Sequence, residues 1–301
     1  LALANFKLLR CLIMENVKVG NSLSLRGLQV AVGIRPIQII YAEIASSLFL
    51  DDGTLGSLDL SGTKIRGALI LGWKDHPSLK WHSNSRLTLR NAEVGAIQDV
   101  VNVGPNKADV WPDKLELIGF TYAHLGGIGI EEADDDPANR EADWYISWLA
   151  RQVNYSPQPY EQLAGVLQKA GHSDKAKEIL YAGRNRGLWR ATGLEFIWLL
   201  LLKFIIGFGY RIYYALGWAA GLVCIGAFVL HRTGEGPRHG MPYGLSYSLD
   251  MLLPIVDLRE HHKGMNLSGV AKYYFYFHKI MGFILVSFIL AGLAGLTKLS
   301  S

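Results

Sequence analysis

The chain has 301 residues, of which 50% are hydrophobic and 19% charged, with a net charge of +4. That length allows two modest domains, and a small basic excess gathered around Arg184–Arg190 argues for an anionic membrane surface over nucleic acid. The two cysteines, Cys11 and Cys224, lie in different regions, which argues against a disulfide framework or a thiolate metal site and fits a reducing cytoplasm.

Residues 1–125 carry a recurring signature: a β-branched residue, small or polar residues, then Leu-x-Leu. It begins at Val19, Ile44 and Ile65, ending in Leu23-Ser24-Leu25, Leu48-Phe49-Leu50 and Leu69-Ile70-Leu71. A shortened copy spans Leu55–Leu60 and a degenerate one starts at Val94. Recurrence every 20 to 30 residues marks a stacked repeat, in which each coil buries its inward row only against its neighbours. Leu55, Leu60, Ile65 and Ile70 fall five apart, as in a pentapeptide-repeat β-helix. Gly20, Gly62, Gly67 and Gly95 are expected at tight corners with positive φ. The alternative is a small antiparallel β-sandwich, and the solenoid is the favoured reading. The pattern already runs at Leu1, so further coils upstream are expected.

Residues 126–190 form a linker and helical adaptor. The acidic run Glu131–Asp136 lacks EF-hand spacing and reads as a solvated linker. Gly126-Gly127-Ile128-Gly129 lacks the dinucleotide-binding spacing. Helices are expected over Asn139–Gln152 and Tyr160–Ala170, the latter with Pro159 at its start and Gly171 at its end. Ser173 caps the next helix. This pair resembles a single tetratricopeptide-type hairpin, an adaptor with a partner surface as the lesser reading. Arg184, Arg186, Arg190, Lys203 and Arg211 are the expected contacts to lipid headgroups.

Residues 191–301 are the expected membrane domain. The segment 194–208 has helical apolar spacing, but only seven uncharged residues precede Lys203 from Phe196. It is read as an interfacial helix, with a third crossing as the alternative. Ile212–Leu230 and Ile280–Thr297 are uncharged runs of 19 and 18 residues, each expected to span a bilayer. Tyr210, Tyr213, Tyr214 and Trp218 supply an aromatic belt. Gly217 and Gly221 form one small-residue ridge, and Ser287, Ala291 and Gly295 another; they would pack against each other or against neighbouring subunits. Two crossings place both ends of the chain on one side, and the basic flank before the first crossing puts them inside.

The loop 231–272 carries the candidate functional residues Tyr247, Asp250, Pro254 and Asp257. Its apolar stretch Tyr243–Leu258 is only marginally helical and suits either a segment lying on the membrane or one dipping into it. A dipping segment between two helices is the plan of a cation-channel subunit, with Asp250 and Asp257 ringing a pore. The carbonyl-lined potassium filter sequence is absent. His231, His239, His261, His262 and His278 gather near this boundary without the i, i+4 spacing of a helical metal site; a zinc site there is the only enzymatic reading.

Several phrases together carry a family resemblance: Leu89–Gly95, Leu117–Tyr122, Ser156–Ala164, Gly207–Arg211 and Tyr247–Pro254. They resemble bacterial membrane proteins with pentapeptide-like repeats and a C-terminal transmembrane hairpin, across nearly the whole chain. Members are sometimes labelled membrane-associated oxidoreductases. The resemblance implies the same α+β architecture and an inner-membrane location; it transfers no site. The sequence carries no flavin or nicotinamide fingerprint and no haem or iron–sulfur ligand set, so no cofactor is expected. The expected function is a membrane-anchored scaffold or sensor, with an oligomeric pore as alternative. The expected partners are the bilayer, copies of the chain and a protein bound to the repeats.

Overall fold

A computed structural model describes residues 1–2, 7–8, 11–33, 36–72, 78–99, 110–126, 137–211, 213–241, 244–253, 262 and 265–297, the last seven of these as backbone only. The chain is α+β and divides into two compact units, Leu1–Gly187 and Leu188–Ser301.

The first unit begins with a β-solenoid. Its described strands form three parallel sheets of four, five and seven strands. The copies of the signature stack as successive coils. Val19 pairs with Ile44, Ile44 with Ile65, Ile65 with Val94, and Val94 with Tyr122. Leu23, Leu48 and Leu69 form the next row. The shortened copy is not a coil of its own. Leu55 and Leu58 continue the same coil onto the next two faces, pairing with Trp81 and with Ile37 and Leu87. The shaft is apolar and closed: Leu23, Leu48, Leu60, Leu87 and Leu115 have no exposed surface. Each such leucine contributes about 1.5–3 kcal/mol of burial free energy.

The five-residue interval holds through Leu50, Leu55, Leu60 and Ile65 and then breaks. A register shift between Ile65 and Ala68 leaves Ile70 in a separate cluster with Ala68, Ala96 and Phe49. Of the four glycines expected at positive φ, only Gly62 has it, at +66°. Gly67 and Gly95 instead allow close coil stacking: a Cβ on either would overlap backbone atoms of the preceding coil, at Ser46 and Arg66. One left-handed corner is a column of one residue per coil, Asn16, Tyr41, Gly62, Asn91 and Gly119. The amides of the first four each donate to the next coil, at Ile40, Ser61, Arg90 and Ile118.

The open end of the solenoid is covered by the helical segment that follows. Helix α1 (Ala142–Ala150) leads into Arg151–Val153, which hydrogen-bonds alongside Leu115. Helix α2 (Gln158–Lys169) lies against the last coil. The Gln158 side chain accepts from the Gly119 amide and donates to the Phe120 carbonyl, and Gln162 donates to the Tyr122 carbonyl. These bonds satisfy backbone groups that a terminal coil would otherwise leave bare. Asp99, almost wholly buried, accepts from Trp111 at 2.6 Å and Arg140 at 2.8 Å, and Arg140 lies 4.0 Å over the Trp144 ring. Helix α3 (Ser173–Leu188) completes the hairpin with α2.

The second unit contains α4 (Gly193–Ile206), a left-handed turn at Gly207, α5 (Tyr213–Thr233), the single turn α6 (Glu235–Arg238), α7 (Leu245–Leu252) and α8 (Gly269–Thr297). Among the described residues, two helices are long and apolar enough to cross a membrane, Tyr213–Thr233 and Gly269–Leu290. Helix α8 begins eleven residues before the uncharged run at Ile280, so the aromatic flank Tyr273–His278 is helical. At 14 residues, α4 extends about 21 Å, short of a hydrocarbon core of roughly 30 Å.

Candidate functional site

The second unit buries polar groups beside its apolar clusters and leaves large apolar side chains on its outside. Glu235, Ser248, Asp250, His262 and His278 are buried, while Trp198, Phe204, Leu216, Phe228, Ile280 and Phe283 are exposed. Only 22% of each candidate span is buried within the chain, far less than the core helix of a water-soluble domain would be. Water rewards the opposite distribution; hydrocarbon rewards this one, because it solvates neither charge nor unpaired hydrogen-bonding groups.

Helix α7 is the centre of this arrangement. It packs against both α5 and α8. Its buried face carries Tyr247, Ser248, Asp250 and Leu252, while Leu245 and Leu249 point outward. Two glycines make room for it. A Cβ on Gly226 of α5 would overlap the Ser248 hydroxyl, and one on Gly282 of α8 would overlap the Leu252 carbonyl. Gly226 lies four residues inside the uncharged run that ends at Leu230, about 6 Å at helical rise. Helix α7 therefore enters the level of the apolar runs shallowly, at the loop-side end of the two long helices.

The polar groups around α7 are bonded in pairs. His262 Nδ1 lies 2.8 Å from Asp250 Oδ2, with both side chains almost wholly buried. The Tyr247 ring stands edge-on to His262 and to Phe275. His278 Nε2 is 2.9 Å from the Ser248 carbonyl, and its Nδ1 is 3.2 Å from the Tyr274 hydroxyl. The Ser248 hydroxyl itself is buried without a hydrogen-bond partner. Beside this core, the Glu235 carboxylate accepts from the Ser268 hydroxyl at 2.6 Å and approaches Arg238 and His239. The Ser268 hydrogen bond is the main cause holding the Glu235 carboxyl below its ordinary value.

Of the four loop residues singled out from the sequence, Tyr247 and Asp250 come together in this core. Pro254 and Asp257 lie outside the described residues. The partner of Asp250 is His262, twelve positions away; the sequence signal was a histidine in an apolar loop, but nothing in it chose His262 over His261. Gly217 and Gly221 meet nothing within 4 Å. Ser287 donates to the Phe283 carbonyl of its own helix, and the side chains of Ala291 and Gly295 lie outside the described residues. Among the basic residues, Arg186 is turned inward. Its guanidinium donates to the carbonyls of Leu149, Ala150 and Gln152 and to the Tyr160 hydroxyl, satisfying the end of α1. Arg184 and Arg190 are exposed, Lys203 lies 5.8 Å from the Trp189 ring, and Arg211 donates to Tyr214. Among the described residues, no group of three or more His, Cys, Asp or Glu is placed to share a metal ion.

A second candidate surface lies on the first unit. The coil row that starts at Val19 faces a trough of about 940 Å3, lined by the solenoid and by Gln162 and Lys169 of α2. On the strands beneath it, Lys18, Glu43, Lys64 and Glu93 stack in alternating sign. Lys18–Glu43 and Lys64–Glu93 form exposed ion pairs at 3.3 and 3.4 Å. Exposed pairs of this kind contribute about 0.2–1 kcal/mol each, so they shape the surface more than they stabilise it.

Compared with family models, with curated proteins and with solved structures, the chain gives no match.

Proposed function

We propose that this protein is a membrane-anchored scaffold or sensor of the inner membrane: α5 and α8 cross the bilayer, α4 lies at its interface, and the solenoid, on the cytoplasmic side, recognises a protein partner. The observation that carries the reading is the apolar outside of the second unit, with exposed Phe228, Ile280 and Phe283 around buried Asp250, His262 and His278. It is joined in one chain to a solenoid whose end is covered and whose outer trough is open. Solenoids of this kind present extended recognition surfaces because each coil adds one row of outward side chains. The pentapeptide-like spacing of Leu50, Leu55, Leu60 and Ile65 supports kinship with the repeat proteins the sequence resembles.

The test is alkaline extraction of membranes from cells expressing the full chain. The protein is expected to remain in the pellet, and release into the supernatant would end the anchoring part of the reading.

One observation favours a second reading, a transport function. An anchor has no need of a buried Asp250–His262 pair, and ionisable residues at membrane depth commonly line ion or proton paths. Reconstituted protein would then carry an ion or proton flux that changes on Asp250→Asn. Sealed vesicles without flux leave the scaffold reading alone.

A further inference from the structure

We propose that the trough over the Val19–Tyr122 row of the solenoid binds an acidic segment of a partner protein, with Arg66 and Lys169 pairing with its carboxylates. This rests on the scaffold reading and names the chemistry of the partner.

The floor of the trough is set by the residue after each inward row position. Val19, Ile44, Ile65, Val94 and Tyr122 are stacked in register, and the next residues, Gly20, Ala45, Arg66, Gly95 and Ala123, follow one another on the outer face, with Arg66 and Gly67 together against Gly95 where the register shifts. All five line the trough. Four of them have no side chain or only a methyl group, and Arg66 stands alone among them. The packing fixes part of this pattern: a Cβ on Gly95 would overlap the Arg66 carbonyl, so the position beside Arg66 must stay bare. The result is a long cation rising from a floor that gives an approaching chain room on both sides.

The charges decide which chain. Four cations line the trough, Lys18, Lys64, Arg66 and Lys169, against two carboxylates, Glu43 and Glu93. Both carboxylates are already paired, with Lys18 and Lys64. Arg66 and Lys169 are exposed and have no charged partner among the described residues. The trough is therefore net positive by two, and the surplus is held by these two groups. A guanidinium presents a fork of donors that a carboxylate matches with two parallel bonds. A partner with carboxylates is attracted to the pair, and one with ammonium groups is repelled. Neighbouring coils lie about 4.8 Å apart, so the five-residue column runs for about 19 Å, the length of about six residues of extended chain.

The test uses the full chain in nanodiscs of neutral lipid and two fluorescent peptides of equal length, one rich in glutamate and one rich in lysine. The glutamate peptide is expected to bind saturably. Arg66→Glu and Lys169→Glu should each weaken it about tenfold. Ala45→Trp, which fills the floor without changing charge, should weaken it to the same extent. Lys80→Glu makes the same charge change on another face and should leave binding intact. Each variant is checked by its thermal melt, and Ala45→Trp carries the test should either charge reversal fail to fold. Unchanged binding by Arg66→Glu and Ala45→Trp overturns the proposal. Binding of the lysine peptide, lost on Ala45→Trp, overturns the acidic partner but keeps the trough as a recognition surface. Absence of binding by either peptide removes both.

Discussion

His262 and Asp250 meet at 2.8 Å inside the second unit, each with no more than about one-twentieth of its surface exposed. The contact sets an imidazole nitrogen against a carboxyl oxygen, both withdrawn from solvent. The two halves of the pair are unequal. Removing His262 takes a partner from the buried Asp250 carboxyl and leaves a gap where the imidazole stood, whereas Asp250→Asn keeps the volume and a group that can hydrogen-bond Nδ1. His262→Ala should therefore cost about 2–5 kcal/mol, and Asp250→Asn about 1–2 kcal/mol, read from unfolding in detergent. Equal costs would show that the pair is not the unit that matters.

Glu235 gives a pH dependence of known sign. Its carboxyl is held below the ordinary value, first by the Ser268 hydroxyl and then by Arg238 and His239. Between the folded and unfolded values, the unfolded chain binds more protons, so stability rises with pH there. The contribution is complete above the ordinary carboxylate range and is lost as the pH falls through the depressed folded-state value. Ser268→Ala should flatten this acidic limb in melts followed across pH. A limb unchanged by Ser268→Ala would contradict the assignment.

The glycines of the long helices separate into two classes. Gly282→Ala sets a methyl group into the Leu252 carbonyl and must move α7 off α8, at a cost of about 1–3 kcal/mol. Gly217→Ala and Gly221→Ala meet nothing within 4 Å, so the stability of the single chain should change by less than about 0.5 kcal/mol. If the Gly217–Gly221 ridge packs against a second copy, the same substitutions will lower association measured by sedimentation while leaving the melt of the single chain in place.

In the solenoid, Gly119 closes the left-handed corner column at φ +75°. A Cβ there would overlap the Asn91 carboxamide. Gly119→Ala combines backbone strain with that clash and should cost about 1–3 kcal/mol. Asn91→Gly, at the same corner one coil earlier, removes the left-handed penalty and should be nearly neutral. A thermal melt of each decides it.

The sequence displayed what repeats locally. Leu-x-Leu copies at Val19, Ile44 and Ile65 reported the solenoid because each coil solves the same burial problem, and uncharged runs reported α5 and α8 because a long apolar helix needs no tertiary information. Contacts between distant residues were not legible. The corner column uses Asn16, Tyr41 and Asn91 as well as Gly62 and Gly119, and only the stacking of coils reveals that these five are equivalent. Arg186 looked like a headgroup contact because its charge was visible and the carbonyls it binds, at Leu149, Ala150 and Gln152, carry no sequence signature. The room for α7 depends on Gly226 and Gly282, whereas the eye is drawn to the four-residue spacing of Gly217 and Gly221. Arg66 was hidden for the same reason as the corner: its isolation among small residues appears only when Gly20, Ala45, Gly95 and Ala123 are aligned by register.

The central claim is that one chain is held by a bilayer and brings a partner to it. Flotation of liposomes tests both halves together. With the full chain reconstituted, a fluorescent glutamate-rich peptide at a concentration near its Kd should rise with the vesicles; it should remain below with empty vesicles, and only a small fraction should rise with Arg66→Glu. A chain that fails to float, or a peptide that stays below with the wild-type chain, would contradict the account.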